Sequence, residues 1–373
     1  MISKAAQSAN LWIRYPQWPQ MLRQATLAMP LMLTFVATGC EQSRAADEPG
    51  DAGKEAEENS TQPADCLDVT PHEVTFVTVE PGVRLEVLDF GGSGETMVLL
   101  AGGGDNAHVW DNFAYQFTDH FRVIGITRRG YGQSDQPAGG YDVRTRARDD
   151  IAVLDHFGLR KAVYVGHSAA GAELSQIGLT YPRRVDKLVY LDAADLSERF
   201  RPDREEPPGP QFTDDDLSSL RNFQAAVARF QGHREPNAAR CNGFLFSPSG
   251  RVLDSSTPDE IGDKIDADVA KQRPTNWRRI RAPRLGIFAT FSRELRQPWY
   301  WYLSADEQAA FDRAWLPIVE WHEDTIERFG SHHPNNPEPI VRELLGAHHY
   351  IYINNEAFVV REMREFLLGD VRD

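Results

Sequence analysis

The feature that most constrains this chain is a short apolar run that ends in a serine flanked by small residues. Ala162-Val163-Tyr164-Val165-Gly166 is uncharged and β-branched, the composition of a strand buried on both faces. The residues from Ala169 to Tyr181 have helical composition, and His167 and Ser168 stand between the two. A serine on a sharp strand-to-helix turn has its hydroxyl lifted clear of the sheet, which is the arrangement of a nucleophile elbow. Gly166, Ala170 and Gly171 leave the room that such a bend needs.

A serine hydroxyl is a weak nucleophile until a neighbouring imidazole takes its proton. Of the eleven histidines, His349 is the candidate base, because Gly346-Ala347-His348-His349-Tyr350 falls between a final strand and a final helix. His348 is the alternative, since adjacent side chains diverge and one alone can face the serine. His167, inside the elbow, is read as structural. His322, His332 and His333 do not form a His-Glu-x-x-His or comparable ligand pattern, so they are assigned to a solvated loop and no metal is expected.

Strand patterns recur at about residues 74–79, 84–90, 97–100, 122–126, 162–165, 187–191, 285–289 and 341–345. Helical stretches fall near 108–118, 144–157 and 169–181, with a closing helix over 356–368. Such alternation predicts right-handed crossovers and a mostly parallel sheet. It stops between Ala194 and Ile280, where helices are expected at 213–230 and 258–271. The predicted organisation is a core of residues 66–194 and 281–373 interrupted by an insertion at 195–280. An acidic, flexible linker over 41–65 precedes it.

Together the elbow, the glycine run Leu100-Ala101-Gly102-Gly103-Gly104, Arg128-Arg129-Gly130-Tyr131-Gly132-Gln133-Ser134 and the closing histidine loop resemble the α/β-hydrolase superfamily from about Val74 to Leu368. The resemblance implies an α/β fold, with a mostly parallel eight-stranded sheet flanked by helices and a helical cap inserted after strand 6. It implies Ser168 as nucleophile, His349 as base, and the backbone N–H groups of Gly103 and Ala169 as the oxyanion hole. The acid that orients the imidazole normally follows the seventh strand, where Ser292 stands; Asp192, at the end of the sixth, takes the role, with Glu294 as the alternative. Two positions depart from the family pattern: Ala170 replaces the second elbow glycine, and Ala101 replaces the usual histidine of the glycine loop.

The implied activity is cofactor-independent cleavage of an ester-like bond in a small or medium apolar substrate. The same triad serves thioester, lactone, amide and carbon-carbon bonds, because fold does not set substrate. Epoxide hydrolases and haloalkane dehalogenases of this fold carry an aspartate at the elbow, so Ser168 argues against both. The rival reading is a non-catalytic envelope protein that uses the fold to bind. Gln297-Pro298-Trp299-Tyr300-Trp301-Tyr302 would wall an apolar pocket or pack cap against body.

Residues 1–40 read as a targeting segment, with Met21 as a candidate true start. Leu27 to Val36 is apolar but too short to span a membrane. Ala37-Thr38-Gly39-Cys40 is similar to the bacterial lipoprotein signal, which implies lipidation of Cys40 and a periplasm-facing place in the cell envelope, with simple secretion as the alternative. Membrane contact is expected only through that anchor. Cys66 and Cys241 then remain as an even pair, expected to form a disulfide in an oxidising compartment. A net charge of -15 excludes nucleic-acid binding through charge.

Overall fold

Each of the eight runs that read as strands forms one. The computed structural model describes residues 64–193, 208–209, 211–290 and 298–369; Cys40, Ser292 and Glu294 lie outside them. In chain order the strands are β1 (Glu73–Glu80), β2 (Val83–Gly91), β3 (Glu95–Leu100), β4 (Phe121–Ile126), β5 (Ala162–His167), β6 (Val185–Leu191), β7 (Phe244–Phe246), β8 (Val252–Ser255), β9 (Arg284–Thr290) and β10 (Ile340–Leu345). All but β7 and β8 join one sheet of order β1-β2-β4-β3-β5-β6-β9-β10. β2 is antiparallel to both neighbours, and every pairing from β4 to β10 is parallel.

Helices cover both faces, and for that reason the central strands carry no polar side: all six residues of β5 are buried. Alternate residues feed two cores. Leu99, Val163, Val165 and Val189 face one way, toward Val359 and Met363 of the last helix. Val98, Leu100, Tyr164 and Leu188 face the other, toward Leu154 and Ile177. The helices are α1 (Val143–His156), α2 (Ala170–Thr180), α3 (Leu220–Gln231), α4 (Asn237–Gly243), α5 (Asp259–Val269), α6 (Ala305–Gly330), α7 (Ile351–Asn354) and α8 (Glu356–Leu368). None of the helices among the described residues is long and apolar enough to cross a membrane.

Three features differ from the sequence expectation. The stretch expected as a helix near 108–118 is two 3-10 turns, Ala107–Trp110 and Ala114–Gln116. Side chains cap its first N–H groups, Thr127 accepting from Ala107 and Asn106 from His108, yet the turn closes with i to i+3 bonds and ends at Trp110. Between β6 and β9, helices α3, α4 and α5 are joined by an antiparallel hairpin, β7 with β8. The third is α6, 26 residues long, which had not been read as a helix. Its start is a capping box in which Ser304 and Glu307 satisfy each other's backbone N–H, and Pro317 sits inside it.

Candidate active site

β5 ends at His167 and α2 starts at Ala170, so the chain turns on Ser168, whose φ is +53°. A Cβ on Gly166 would lie 2.6 Å from Leu174 Cδ1 and 2.7 Å from Ala170 Cβ, so the helix could not pack this close to the strand with any larger residue. Ala170, the departure from the usual glycine, is accommodated because its methyl occupies the space that Gly166 leaves. The turn is pinned by Ser168 N–H donating to the Leu191 carbonyl at 3.2 Å and by Gly171 N–H donating to the Ser168 carbonyl at 3.0 Å.

Asp192 follows β6 with a φ of +43°, its N–H donating to the Ile287 carbonyl of β9 at 2.7 Å. Its Oδ1 accepts from Ala289 N–H at 2.9 Å, and its Oδ2 lies 2.5 Å from His349 Nδ1. Burial pushes the Asp192 carboxyl up, but hydrogen bonds from His322 and His349 outweigh it and hold the group well below the usual carboxylate range. The carboxylate is therefore ionised and fixed in direction.

His349 is held from the other side by the elbow itself. His167 donates its Nε2–H to the His349 carbonyl at 3.0 Å, and the two rings are 4.5 Å apart between centroids. Burial pushes the His167 imidazole well down, so it is neutral and its one proton is committed to that bond. His167 thus ties the histidine loop to the residue before Ser168. His348 turns elsewhere: its Nε2 lies 2.9 Å from where a Cβ on Gly232 would stand, at the end of α3.

The glycine loop after β3 is braced from below. Arg128 donates to the carbonyls of Gly102 at 2.9 Å and Ala101 at 2.5 Å, while its Nε reaches Glu173 of α2 at 2.7 Å. Although Ala101 lacks the usual histidine side chain, the loop is thereby held by an arginine from the loop after β4. A Cβ on Gly102 would fall 2.9 Å from both Asp105 Oδ2 and His167 Nδ1, so the loop passes directly over the elbow. Among the described residues, no group accepts the N–H of Gly103 or of Ala169.

His322 requires a correction. Read with His332 and His333 as part of a solvated loop, it is instead buried on α6, with Nε2 3.3 Å from Asp192 Oδ1. The signal was present in the spacing of Phe311, Trp315, Ile318, His322, Thr325 and Phe329, which puts His322 on the buried stripe of a helix. His332 and His333 do lie in the loop after α6. The aromatic run divides: Tyr300 packs on Phe311 and Tyr302 on Phe230, while Trp301 is exposed.

Sheet order, elbow and histidine loop together define the α/β-hydrolase fold. Residues 95–241 match the family model described as alpha/beta hydrolase fold. The chain is 38% identical over 120 residues to a non-heme chloroperoxidase of Streptomyces lividans, a match covering 31% of this chain and 44% of that one. It is 32% identical over 130 residues to bifunctional epoxide hydrolase 2 of Mus musculus, covering 33% and 23%. Each match spans less than half the length of the curated relative. Among solved structures, E-2-(acetamidomethylene)succinate hydrolase superposes with a TM-score of 0.55 at 20% identity, covering 80% of this chain and 99% of the other.

Proposed function

We propose that this chain is a serine hydrolase that cleaves an ester-like bond of a small or medium apolar substrate. Ser168 Oγ attacks the carbonyl carbon while His349 accepts its proton. Asp192 holds the Nδ1–H of that imidazole and stabilises the imidazolium. Negative charge on the carbonyl oxygen is met by the N–H groups of Gly103 and Ala169, each such donor being worth about 3–4 kcal/mol in the transition state. His349 then returns the proton to the leaving alcohol, and a water activated by the same imidazole releases the acid from Ser168.

The observation that carries this reading is the 2.5 Å contact between Asp192 and His349, on a loop that His167 fastens to the elbow. A buried carboxylate committed to one imidazole nitrogen leaves the other to act as base. Ser168 at the elbow favours acyl chemistry over the opening of an epoxide. Incubation with a fluorophosphonate probe tests the proposal. Native protein should be labelled, and Ser168→Ala should not be. A folded wild type that takes no label would reject the hydrolase in favour of a binding protein on this scaffold. A panel of chromogenic esters of graded acyl length then separates ester substrates from thioester, lactone, amide or carbon-carbon bonds.

A further inference from the structure

Away from the elbow, two stretches of chain bring two histidines and two aspartates together. Asp68 and His72 lie in the segment leading into β1, His108 in the 3-10 turn that follows the glycine loop, and Asp111 at the end of that turn. His72 Nε2 is 3.0 Å from Asp68 Oδ2, and His108 Nδ1 is 3.4 Å from the same oxygen. Asp111 lies beside the group, with Oδ2 3.5 Å from His108 Nδ1 and Oδ1 3.9 Å from the other nitrogen of His72, Nδ1. The separations among Asp68 Oδ2, His72 Nε2 and His108 Nδ1 are those of atoms sharing a cation at roughly 2.0–2.2 Å.

Hydrogen bonding within the cluster does not account for it. The side chains of His72, His108 and Asp111 are 2%, 4% and 1% exposed. Yet Nδ1 of His72, Nδ1 of His108 and both carboxylate oxygens of Asp111 are buried without a hydrogen-bond partner among the described residues. A buried carboxylate with neither oxygen bonded is expensive, and an ion is one of the few things that resolves it. The outer contacts point the same way. The second nitrogen of His108, Nε2, faces Glu86 Oε1 at 3.5 Å, and Glu86 Oε2 is fixed by the Thr127 hydroxyl at 2.7 Å. A carboxylate behind a ligating histidine orients the ring and sharpens its basicity. Asp68 is aimed in turn by Thr70 N–H, which donates to its Oδ1 at 3.1 Å.

We propose that Asp68, His72 and His108 hold one divalent transition cation, with zinc the best match to two imidazole nitrogens and one carboxylate oxygen, and with Asp111 as the buried anion beside His108. The cation ties the segment before β1 to the turn that follows the glycine loop, and three protein ligands leave its fourth position to water. The sequence reading, which expected no metal, could not see it, because the ligands come from two separate parts of the chain. The rival is a metal-free cluster of charged imidazoles and carboxylates.

The full chain, stripped with a chelator and dialysed, is titrated with Zn²⁺ by calorimetry, with bound metal counted by mass spectrometry. The expected result is one zinc per chain, with affinity weakened roughly tenfold or more in His108→Gln and in Asp68→Asn. Asp68 is exposed, so its variant tests the site even if the buried histidine variant fails to fold. Chelation should lower the melting temperature of the wild type and leave that of Asp68→Asn nearly unchanged. Substoichiometric zinc with no thermal response, or equal binding by wild type and Asp68→Asn, would overturn the proposal and leave the charged cluster or an adventitious ion.

Discussion

Ser168 and Asp192 are the two non-glycine residues with positive φ among the described residues, at +53° and +43°. A side chain in that region costs about 1–2 kcal/mol, and such strain collects where geometry has a use. Both residues belong to the proposed triad. Glycine relieves the strain, so Ser168→Gly should be more stable than Ser168→Ala by about 1 kcal/mol in urea unfolding. At an ordinary helical position the order is reversed by about that amount. Equal stabilities would show that the elbow is relaxed. Asp192→Asn leaves the carboxylate's place filled but favours the wrong imidazole tautomer, and turnover should fall about 10⁴-fold. Because the folded carboxyl is held below the ordinary value of about 3.9, its contribution to stability is complete above that pH and is lost as pH falls toward the folded value. The stability deficit of Asp192→Asn should accordingly shrink only below about pH 4. A deficit that vanished by pH 6 would mean that the two imidazoles do not stabilise the anion.

Between elements, Arg128 is the residue whose role sequence understated. It joins the loop after β4 to the glycine loop and to Glu173 on α2. Arg128→Met leaves Glu173 buried with Arg146 at 3.1 Å, and breaking a buried pair typically costs about 3–5 kcal/mol. Arg128→Met with Glu173→Gln removes both charges of that pair but also takes the carboxylate from Arg146, so only part of that stability should return while turnover stays low, since the carbonyls of Ala101 and Gly102 are no longer held. Recovery of both together would reduce Arg128 to a packing residue. Neither role is visible in the motif, because the three partners meet only through the sheet. The central strands were legible because burial on two faces leaves an unbroken apolar run, as in β5, whereas the edge strands β1 and β10 are half-buried or exposed along most of their length. By contrast, α6 was hidden by its charged outer face and Pro317, and with it the contact of His322 on Asp192. The turns at 107–116 were misread because two short 3-10 pieces share the composition of one helix, and nothing in the composition marks the break between Trp110 and Ala114. The contact of Asp192 with His349 was expected only from family resemblance, since composition does not distinguish Asp192 from any aspartate at a strand end.

At the scale of the whole molecule, the segment between β6 and β9 has a small core of its own. Leu220, Phe223, Val227, Phe246 and Val252 form a cluster separate from the two that flank the sheet. A core of that size gives limited stability by itself. What fastens it is the disulfide between Cys66 and Cys241, with Cα atoms 5.6 Å apart across 175 residues of sequence, and Asn237 donating to the Asp65 carbonyl beside it at 3.2 Å. Removing a native disulfide typically costs about 2–5 kcal/mol. That loss should not be shared evenly, because the bridge joins the start of the body to α4 and leaves the central strands untouched. In hydrogen exchange after reduction, protection should therefore fall first in α3, β7 and β8, while β3, β5 and β6 keep theirs until global unfolding. Since α3 ends at Gly232, against His348, loosening this region also frees one wall of the histidine loop, and turnover should drop in reducing buffer before the far-UV spectrum changes. A uniform loss of protection would instead mean that this segment and the sheet unfold as one unit, with the disulfide adding stability to the whole rather than to the segment between β6 and β9.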